Sequence, residues 1–329
     1  MKIETAFTKD LGIDLPILVA PMFLVSGPDM LIAAAEHGAI GAVPTLNFRT
    51  TDLLKEGFQK IRVGTKKPYG ANLIVQKTNP YAKEHLKVCL DLGVPFYITS
   101  LGNPKEVITE AHKNGAKVYC DVTNMEFAQK VVDLGADGLI AVCAGAGGHA
   151  GEVTPIVFIP ALKERFKIPV VAAGGVVGGK GMAAMLALGA DAVSVGTRFI
   201  ASKEAPVNNQ YKEAIVKAKV EDIVYTEKIS GTPCSVIQTP YVKKWGLKQN
   251  MFERFLSNNR SIRKYYKMLV QYRGMKLMDR AAQVPTYKDV WCAGQSSGLI
   301  HDVKPVGEIL QTMIEEYSAT VKILPKVDV

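Results

Sequence analysis

One unit recurs between residues 36 and 194: a helical run ends at a glycine and a short apolar strand follows. Its copies are Glu36-His-Gly-Ala-Ile-Gly-Ala-Val, Asp91-Leu-Gly-Val-Pro-Phe-Tyr-Ile and Lys113-Asn-Gly-Ala-Lys-Val-Tyr-Cys, then Asp133-Leu-Gly-Ala-Asp-Gly-Leu-Ile and Ala187-Leu-Gly-Ala-Asp-Ala-Val-Ser. Glycine suits the left-handed position just past a helix C-terminus. Strands that are apolar throughout, without alternation, suit a parallel sheet covered on the outside by helices. At Gly93, Gly115 and Gly135 the units lie about 20 residues apart, the length of a minimal βα repeat.

Eight candidate strands follow from this rhythm: 17–22, 39–44, 69–75, 96–100, 117–122, 138–143, 169–174 and 192–197. The segments 29–37, 80–92, 104–114, 124–134 and 179–188 read as helices between them. Eight alternating βα units predict an α/β fold of the (β/α)8 TIM barrel type, with the open doubly wound sheet as the competing arrangement. No Gly-x-Gly-x-x-Gly follows the first strand, which weighs against a dinucleotide-binding sheet. After residue 205 the rhythm breaks. Segment 206–290 is richer in charge and aromatics, and its periodicity looks helical, as in Met251–Val270. An amphipathic stretch at about 303–317 could supply the eighth barrel helix. The expected organisation is a barrel of residues 1–205 plus 291–329. A smaller, mostly helical insertion, 206–290, would then lie between strand eight and its helix and cover the mouth as a lid.

Composition narrows the class. With 329 residues, 48% hydrophobic and 22% charged, the chain has the make-up of a globular core. No run of 18 apolar residues is present to span a membrane. The opening Met-Lys-Ile-Glu-Thr-Ala-Phe lacks the apolar core of a signal peptide. The cysteines Cys89, Cys120, Cys143, Cys234 and Cys292 are scattered, with no Cys-x-x-Cys pair. They read as reduced, mostly buried thiols, and a cytoplasmic location without a zinc site is expected. The net charge of +9 owes much to Lys243, Lys244, Lys248, Arg254, Arg260, Arg263, Lys264 and Lys267. That block is either a solvated helical surface or a face that attracts anionic substrates or an acidic carrier protein. It carries no nucleic-acid recognition motif.

In a barrel, chemistry sits where the strands end. Strand one ends in Ala20-Pro21-Met22, where Met22 is either core or laid against a flat ring. Asn72 is an amide among apolar neighbours and needs partners, supplied by a ligand or by a turn that it staples. Strand seven ends in Ala172-Ala173-Gly174-Gly175 and strand eight in Ser194-Val195-Gly196-Thr197-Arg198-Phe199. Barrels commonly bind phosphate in these two loops, where glycine amides and a helix N-terminus meet the anion. The Thr197 hydroxyl can donate as well. Tight strand packing is the competing explanation for these glycines. After strand six, Ala144-Gly145-Ala146-Gly147-Gly148-His149-Ala150-Gly151-Glu152 sets a histidine among glycines, which offer it little to pack against. His149 is a candidate for proton transfer, or else a loop histidine bonded to backbone. His37, His85, His112 and His301 show no metal-ligand spacing. The polar, glycine-punctuated run from Ala293 to Leu299 either closes over a cofactor or is a plain loop.

Ala20-Pro21-Met22, the Gly147–Gly151 core, Ala172–Gly175, Gly196–Phe199 and Ala293-Gly294-Gln295 follow the order found in nitronate monooxygenases, formerly called 2-nitropropane dioxygenases. The chain resembles that family over nearly its whole length, and is similar over the same motifs to the flavin-dependent enoyl-ACP reductases. The resemblance implies an FMN-dependent barrel that oxidises alkyl nitronates with O2, releasing nitrite and a carbonyl compound. It implies that Ala20, Pro21 and Met22 line the isoalloxazine, that Asn72 hydrogen-bonds it and that Gly147 passes close to it. Gly174, Gly175, Ser194, Val195, Gly196 and Thr197 would hold the phosphate, and Gln295 and Ser296 would border the cofactor. His149 would be the catalytic residue near flavin N5. Two residues depart from the family pattern: Val142 stands where many members have a glutamine, and Asp121 where some bacterial members are basic. Both alter the polarity around a flavin. A second reading is an NAD(P)H-dependent reductase of enoyl thioesters on an acyl carrier protein, motivated by the basic block. A third is a non-catalytic flavin- or phosphate-binding barrel. Barrels with lids often pair, so a homodimer is also open.

Overall fold

Eight parallel strands join edge to edge until the last meets the first. A computed structural model describes residues 2–76, 79–229, 231–259, 263–283 and 289–324. The strands, in chain order, are β1 (Ile17–Val19), β2 (Ile40–Pro44), β3 (Gly70–Ile74), β4 (Phe96–Ser100), β5 (Lys117–Val122) and β6 (Gly138–Val142). Then come the two-residue β7 (Gly148–His149), β8 (Val170–Ala173), β9 (Ala192–Val195), β10 (Ile223–Thr226) and β11 (Cys234–Ile237). The closed barrel runs β1-β2-β3-β4-β5-β6-β8-β9, and β9 returns to β1 with Leu18 opposite Ser194.

Helices alternate with these strands: α1 (Ala6–Leu11), α2 (Pro28–Glu36), α3 (Thr51–Gly64), α4 (Ala82–Asp91), α5 (Lys105–Lys113), α6 (Met125–Asp133), α7 (Pro155–Arg165) and α8 (Gly179–Ala187). After β9 come α9 (Thr197–Ile200), α10 (Asn209–Lys217), α11 (Pro240–Trp245), α12 (Met251–Asn258), α13 (Arg263–Gln283) and α14 (Val306–Ile323). The five repeat glycines, Gly38, Gly93, Gly115, Gly135 and Gly189, all have left-handed φ, from 68° to 96°. Only glycine holds that conformation without strain, so the repeat in the sequence is a repeat of helix ends. The ring of helices closes where α14 packs against α8 and α2.

Strand alternation sorts the core into an inside and an outside. Leu18, Ile40, Phe96, Ile98, Tyr119, Ile140, Val171 and Ala192 form one cluster inside the barrel. Ile17, Val19, Val193 and Val195 belong to a second cluster, which includes Ile309, Leu310 and Met313 of α14. Helix α1 plugs the N-terminal end with Phe7 and Leu11. There the Phe7 ring meets Tyr119 edge-on at 5.7 Å, and the Tyr119 hydroxyl donates to Asp10 at 3.0 Å. Two strand glycines make room for the aromatics: a β-carbon at Gly70 would lie 2.7 Å from the Phe96 ring, and one at Gly138 would lie 2.4 Å from the Tyr119 ring.

The structure refines or departs from the sequence expectations in four places. Strand β1 stops at Val19 instead of residue 22, because Pro21 has no N–H and the Met22 N–H turns to Ser26 Oγ at 2.9 Å. The final helix begins at Val306, just after Pro305, and extends to Ile323. The helical periodicity through Met251–Val270 is divided between α12 and α13; residues 260–262 lie outside the described residues. Within 206–290, where residues 230, 260–262 and 284–288 are not described, β10 and β11 form a sheet that the helical periodicity did not predict. Lys243, Lys244, Lys248 and Arg254 of the basic block are exposed; Arg260 and the side chains of Arg263, Lys264 and Lys267 lie outside the described residues. Among the described residues, no helix is long and apolar enough to cross a membrane, and no three His, Cys, Asp or Glu side chains group to hold a metal.

The packing at Gly138 yields a stability prediction. Gly138→Ala is expected to cost about 1–3 kcal/mol by overpacking against Tyr119, read as a lower urea midpoint. Pairing it with Tyr119→Ile should recover part of that loss. An unchanged midpoint in the single variant would show that the ring does not fill this space.

Candidate active site

The C-terminal layer of the barrel interior is polar on one side. Asn72 on β3, Ser100 on β4 and Asp121 on β5 lie on neighbouring strands, with Thr99 paired to Cys120. Asn72 Nδ2 donates to Ser100 Oγ at 2.8 Å and to the Ile98 carbonyl at 3.3 Å. A carbonyl can only accept, so the amide's orientation is set, and Oδ1 is the atom it offers a ligand. The Ser100 hydroxyl donates onward to Asp121 Oδ2 at 2.5 Å. Burial pushes the Asp121 carboxyl up to about 6, against the lowering effect of the Ser100 hydrogen bond. On the other side, Val142 and Ala173 are apolar and pack on the interior cluster.

The end of β1 is stapled by two residues that the motif reading missed. Ala20 N–H makes a last ladder bond to Val195 O at 2.9 Å. Ser26 Oγ accepts from Met22 N–H and donates to Ala20 O, each at 2.9 Å. The Asn47 amide donates to Met22 O and Ser26 O and accepts from Leu24 N–H. Met22 and Ala20 thereby flank Gly196, where a β-carbon would lie 3.5 Å from Met22 Sδ and 3.6 Å from Ala20 Cβ.

Three segments far apart in sequence meet at the mouth through their backbones. A β-carbon at Gly147 would come within 2.8 Å of Gly294 N and 3.2 Å of Thr197 Oγ1. One at Gly294 would lie 2.6 Å from Gly145 O. Thr197, itself buried, accepts the Gly294 N–H at 3.0 Å. Gly174 is hemmed in by the backbone of residues 143–146, whereas a β-carbon at Gly175 would meet nothing within 4 Å. The backbone at 175 therefore borders open space above a closely packed base. Ser194 is buried opposite Leu18 and Ala173. Ser296 and Ser297 are buried in the turn after Gly294, with Ser297 Oγ on Gly294 O at 2.9 Å, while Gln295 is exposed. Arg198 is turned away from this centre and is held by Asp302 at 2.6 Å. The later glycines of the strand-seven loop serve packing: Gly179 N–H is taken by Glu316 of α14 at 2.7 Å.

His149 reaches this centre through β11. Its strand β7 pairs antiparallel with β11, placing His149 opposite Cys234 and Gly148 opposite Ser235. Further along, Val236 bridges Cys292, and Ser235 Oγ donates to Ala293 O at 2.8 Å. Strand β11 thus carries both the histidine loop and the segment leading into Gly294. Behind it, Tyr211 stacks on Trp291 at 5.5 Å and donates to Cys292 O at 2.6 Å. The His149 side chain is exposed, and desolvation by the protein around it lowers its pKa below the ordinary histidine value. An accessible ring with a lowered pKa can take up a proton, which general-base chemistry requires.

Asp121 gives a pH prediction. Its folded pKa of about 6 exceeds the ordinary 3.8, so the fold disfavours the ionised form. The stability tied to its proton is whole below 3.8 and is lost as pH rises through about 6. Asp121→Asn should therefore match the native chain near pH 4 and exceed it at pH 8, by at most about 3 kcal/mol. Urea midpoints at both pH values check this; an equal gain at both would refute it.

Comparison with known proteins identifies the family. The sequence model of the family described as nitronate monooxygenase matches residues 4–316. A carboxyl-CoA dehydrogenase of Mycobacterium tuberculosis, named for a hydroxy-methyl-oxo-octahydroindene substrate, is 27% identical, covering 95% of this chain and 96% of its own. A nitronate monooxygenase of Pseudomonas aeruginosa is 26% identical over 94% of this chain and 98% of its own. The solved structure of FabK from Thermotoga maritima superposes with a TM-score of 0.86 at 35% identity, covering 98% of this chain and 99% of that one. The chain belongs to the nitronate monooxygenase family and is a flavin-dependent oxidoreductase built on a (β/α)8 barrel.

Proposed function

We propose that the barrel mouth binds FMN and that the protein oxidises alkyl nitronates with O2 to nitrite and a carbonyl compound. The observation that carries this reading is the meeting of Gly147, Gly294 and Thr197 beside the open backbone of Gly175, one strand pairing away from His149. Amides at Gly175, Gly196 and Thr197 would hold the phosphate, with Gly174, Ser194 and Val195 shaping the strand ends beneath it. Thr197 Oγ1 accepts from Gly294, and its own proton is left to donate to a phosphate oxygen. Ala20, Pro21 and Met22 would lie against the ring system, and Asn72 Oδ1 would accept an N–H from its pyrimidine edge. Ser296 and Gln295 would border the same cofactor. Bound FMN supplies the oxidation of the substrate and the passage of electrons to O2.

The chain's own contribution is positional and protolytic. Desolvation lowers the His149 pKa and so favours its neutral form. Neutral imidazole can take the α-proton of a nitroalkane, and beside a preformed nitronate it orients the anion. Val142 and Ala173 keep one wall of the mouth apolar.

A second reading is reduction of an enoyl thioester by NAD(P)H. It is favoured by the likeness to FabK, by a relative named for a carboxyl-CoA substrate and by the exposed cations Lys243, Lys244, Lys248 and Arg254. Acyl carrier proteins are acidic and fit such a face.

Oxygen uptake and nitrite release with an alkyl nitronate test the first reading. Wild-type protein should show both. His149→Ala should lower kcat/KM for a neutral nitroalkane by about 10²–10⁴, with FMN still bound. Wild-type turnover of the nitroalkane should rise with pH through a midpoint below the ordinary histidine value. Absence of O2 uptake and nitrite, with rapid NAD(P)H oxidation on an enoyl thioester, would replace the first reading with the second.

A further inference from the structure

The cysteines include one pair that the chemistry above does not use. Cys89 in α4, Cys120 in β5 and Cys143 after β6 are buried, and burial pushes each thiol up to about 12. Cys234 and Cys292 differ: their sulfurs lie 3.9 Å apart, on β11 and on the segment that bridges it. Val236 is opposite Cys292, so Cys234 is its diagonal neighbour two residues along. Cys234 is also directly opposite His149.

We propose that Cys234 and Cys292 form a disulfide when the protein meets a hydroperoxide, and that this bond shifts the segment leading into Gly294.

The two thiols share one hydrogen bond in which either sulfur can donate, so access decides which of them meets a peroxide. Cys292 is half-buried and Cys234 fully buried. Cys292 is therefore the attacking sulfur and Cys234 the resolving one. The Cys292 thiolate attacks one peroxide oxygen, breaking the O–O bond. Cys292 becomes a sulfenic acid, and the other oxygen leaves as alcohol or, from hydrogen peroxide, as water. The Cys234 sulfur then displaces the sulfenic oxygen, which departs as water. Two thiols and one hydroperoxide thus give one disulfide, one alcohol and one water; the sulfurs lose two electrons and the peroxide gains them.

Closure must bring the sulfurs from 3.9 Å to about 2.05 Å. Cys234 has little freedom to move, because β11 pairs with β10 on one edge and β7 on the other. Cys292 lies outside the named strands. An isolated bridge to Val236, the Ile237 N–H to Trp291 O and Ala293 N–H to Ser235 O bonds and the Tyr211 hydroxyl hold its segment. Closure displaces that segment against these few ties rather than against a full ladder. Two residues later Gly294 faces Gly145 and Gly147 with no room for even a β-carbon between them, so a displacement is felt there. Trp291, stacked on Tyr211, reports the motion from the preceding residue.

The test treats the full chain with hydrogen peroxide, blocks remaining thiols with N-ethylmaleimide and digests it without reductant. The expected product is a Cys234–Cys292 linked peptide pair, with free thiols falling from five to three and recovering in dithiothreitol. Cys234→Ser and Cys292→Ser should each abolish the link. In a Trp245→Phe background, Trp291 fluorescence should change on oxidation and return on reduction. Five surviving thiols, or Cys292 oxidised without a partner, would overturn the site. A link with unaltered Trp291 emission would overturn the coupled motion. FMN titration of both redox forms belongs to the flavin reading alone, and its failure would leave the disulfide standing.

Discussion

Backbone packed on backbone at Gly147 and Gly294 is the contact on which the barrel mouth depends. Neither residue has a side chain, and none would fit: β-carbons there would lie 2.8 Å and 2.6 Å from main-chain atoms of the facing segment. Such closeness brings polar main-chain groups together where few apolar atoms can shield them. The Thr197 hydroxyl resolves part of this by accepting the Gly294 N–H. Because so little apolar surface is buried at the seam, its geometry is set from outside, by β11 on one flank and by the Tyr211–Trp291 stack on the other. A shift in β11 would therefore reach His149 and Gly294 together.

The two ends of the barrel divide stability from chemistry. At the N-terminal end, charges are paired: Lys117 lies 2.7 Å from Asp10 and 3.3 Å from Asp137, which also holds His112 at 2.8 Å. These ties lock α1 onto the barrel bottom. At the C-terminal end, Asp121 has a serine hydroxyl as its donor, and its raised pKa records the cost of that arrangement. Energetic strain placed at the strand C-termini and pairing at the strand N-termini is the pattern expected when function occupies the first face.

The barrel was legible because its signal is local and repeated. Each repeat glycine had to be left-handed to end a helix, and each following run was apolar because both faces of the strand are buried. The glycine runs at the ends of the sixth, seventh and eighth barrel strands were legible for the same reason, although the crowding at Gly147 comes from Gly294 and Thr197. What could not be read depended on register. Ser100 gains its meaning only when β4 and β5 pair it with Asp121, and nothing local marks that pairing. Ser26 and Asn47 are ordinary loop residues until they staple the end of β1. Strands β10 and β11 did leave a trace, the runs Ile223–Thr226 and Cys234–Ile237, rich in β-branched residues and parted by Gly231-Thr232-Pro233. They were masked by the helical periodicity on either side.

Quantitative titration of the purified chain with FMN, followed by quenching of flavin fluorescence, tests the central claim most directly. The account predicts one FMN per chain. It also predicts at least a tenfold weaker complex for Gly294→Ala, a change equal to about 1.4 kcal/mol, with the far-ultraviolet circular dichroism unchanged. A chain that neither carries nor takes up FMN, or a Gly294→Ala variant that binds it as tightly as the native protein, would contradict the account.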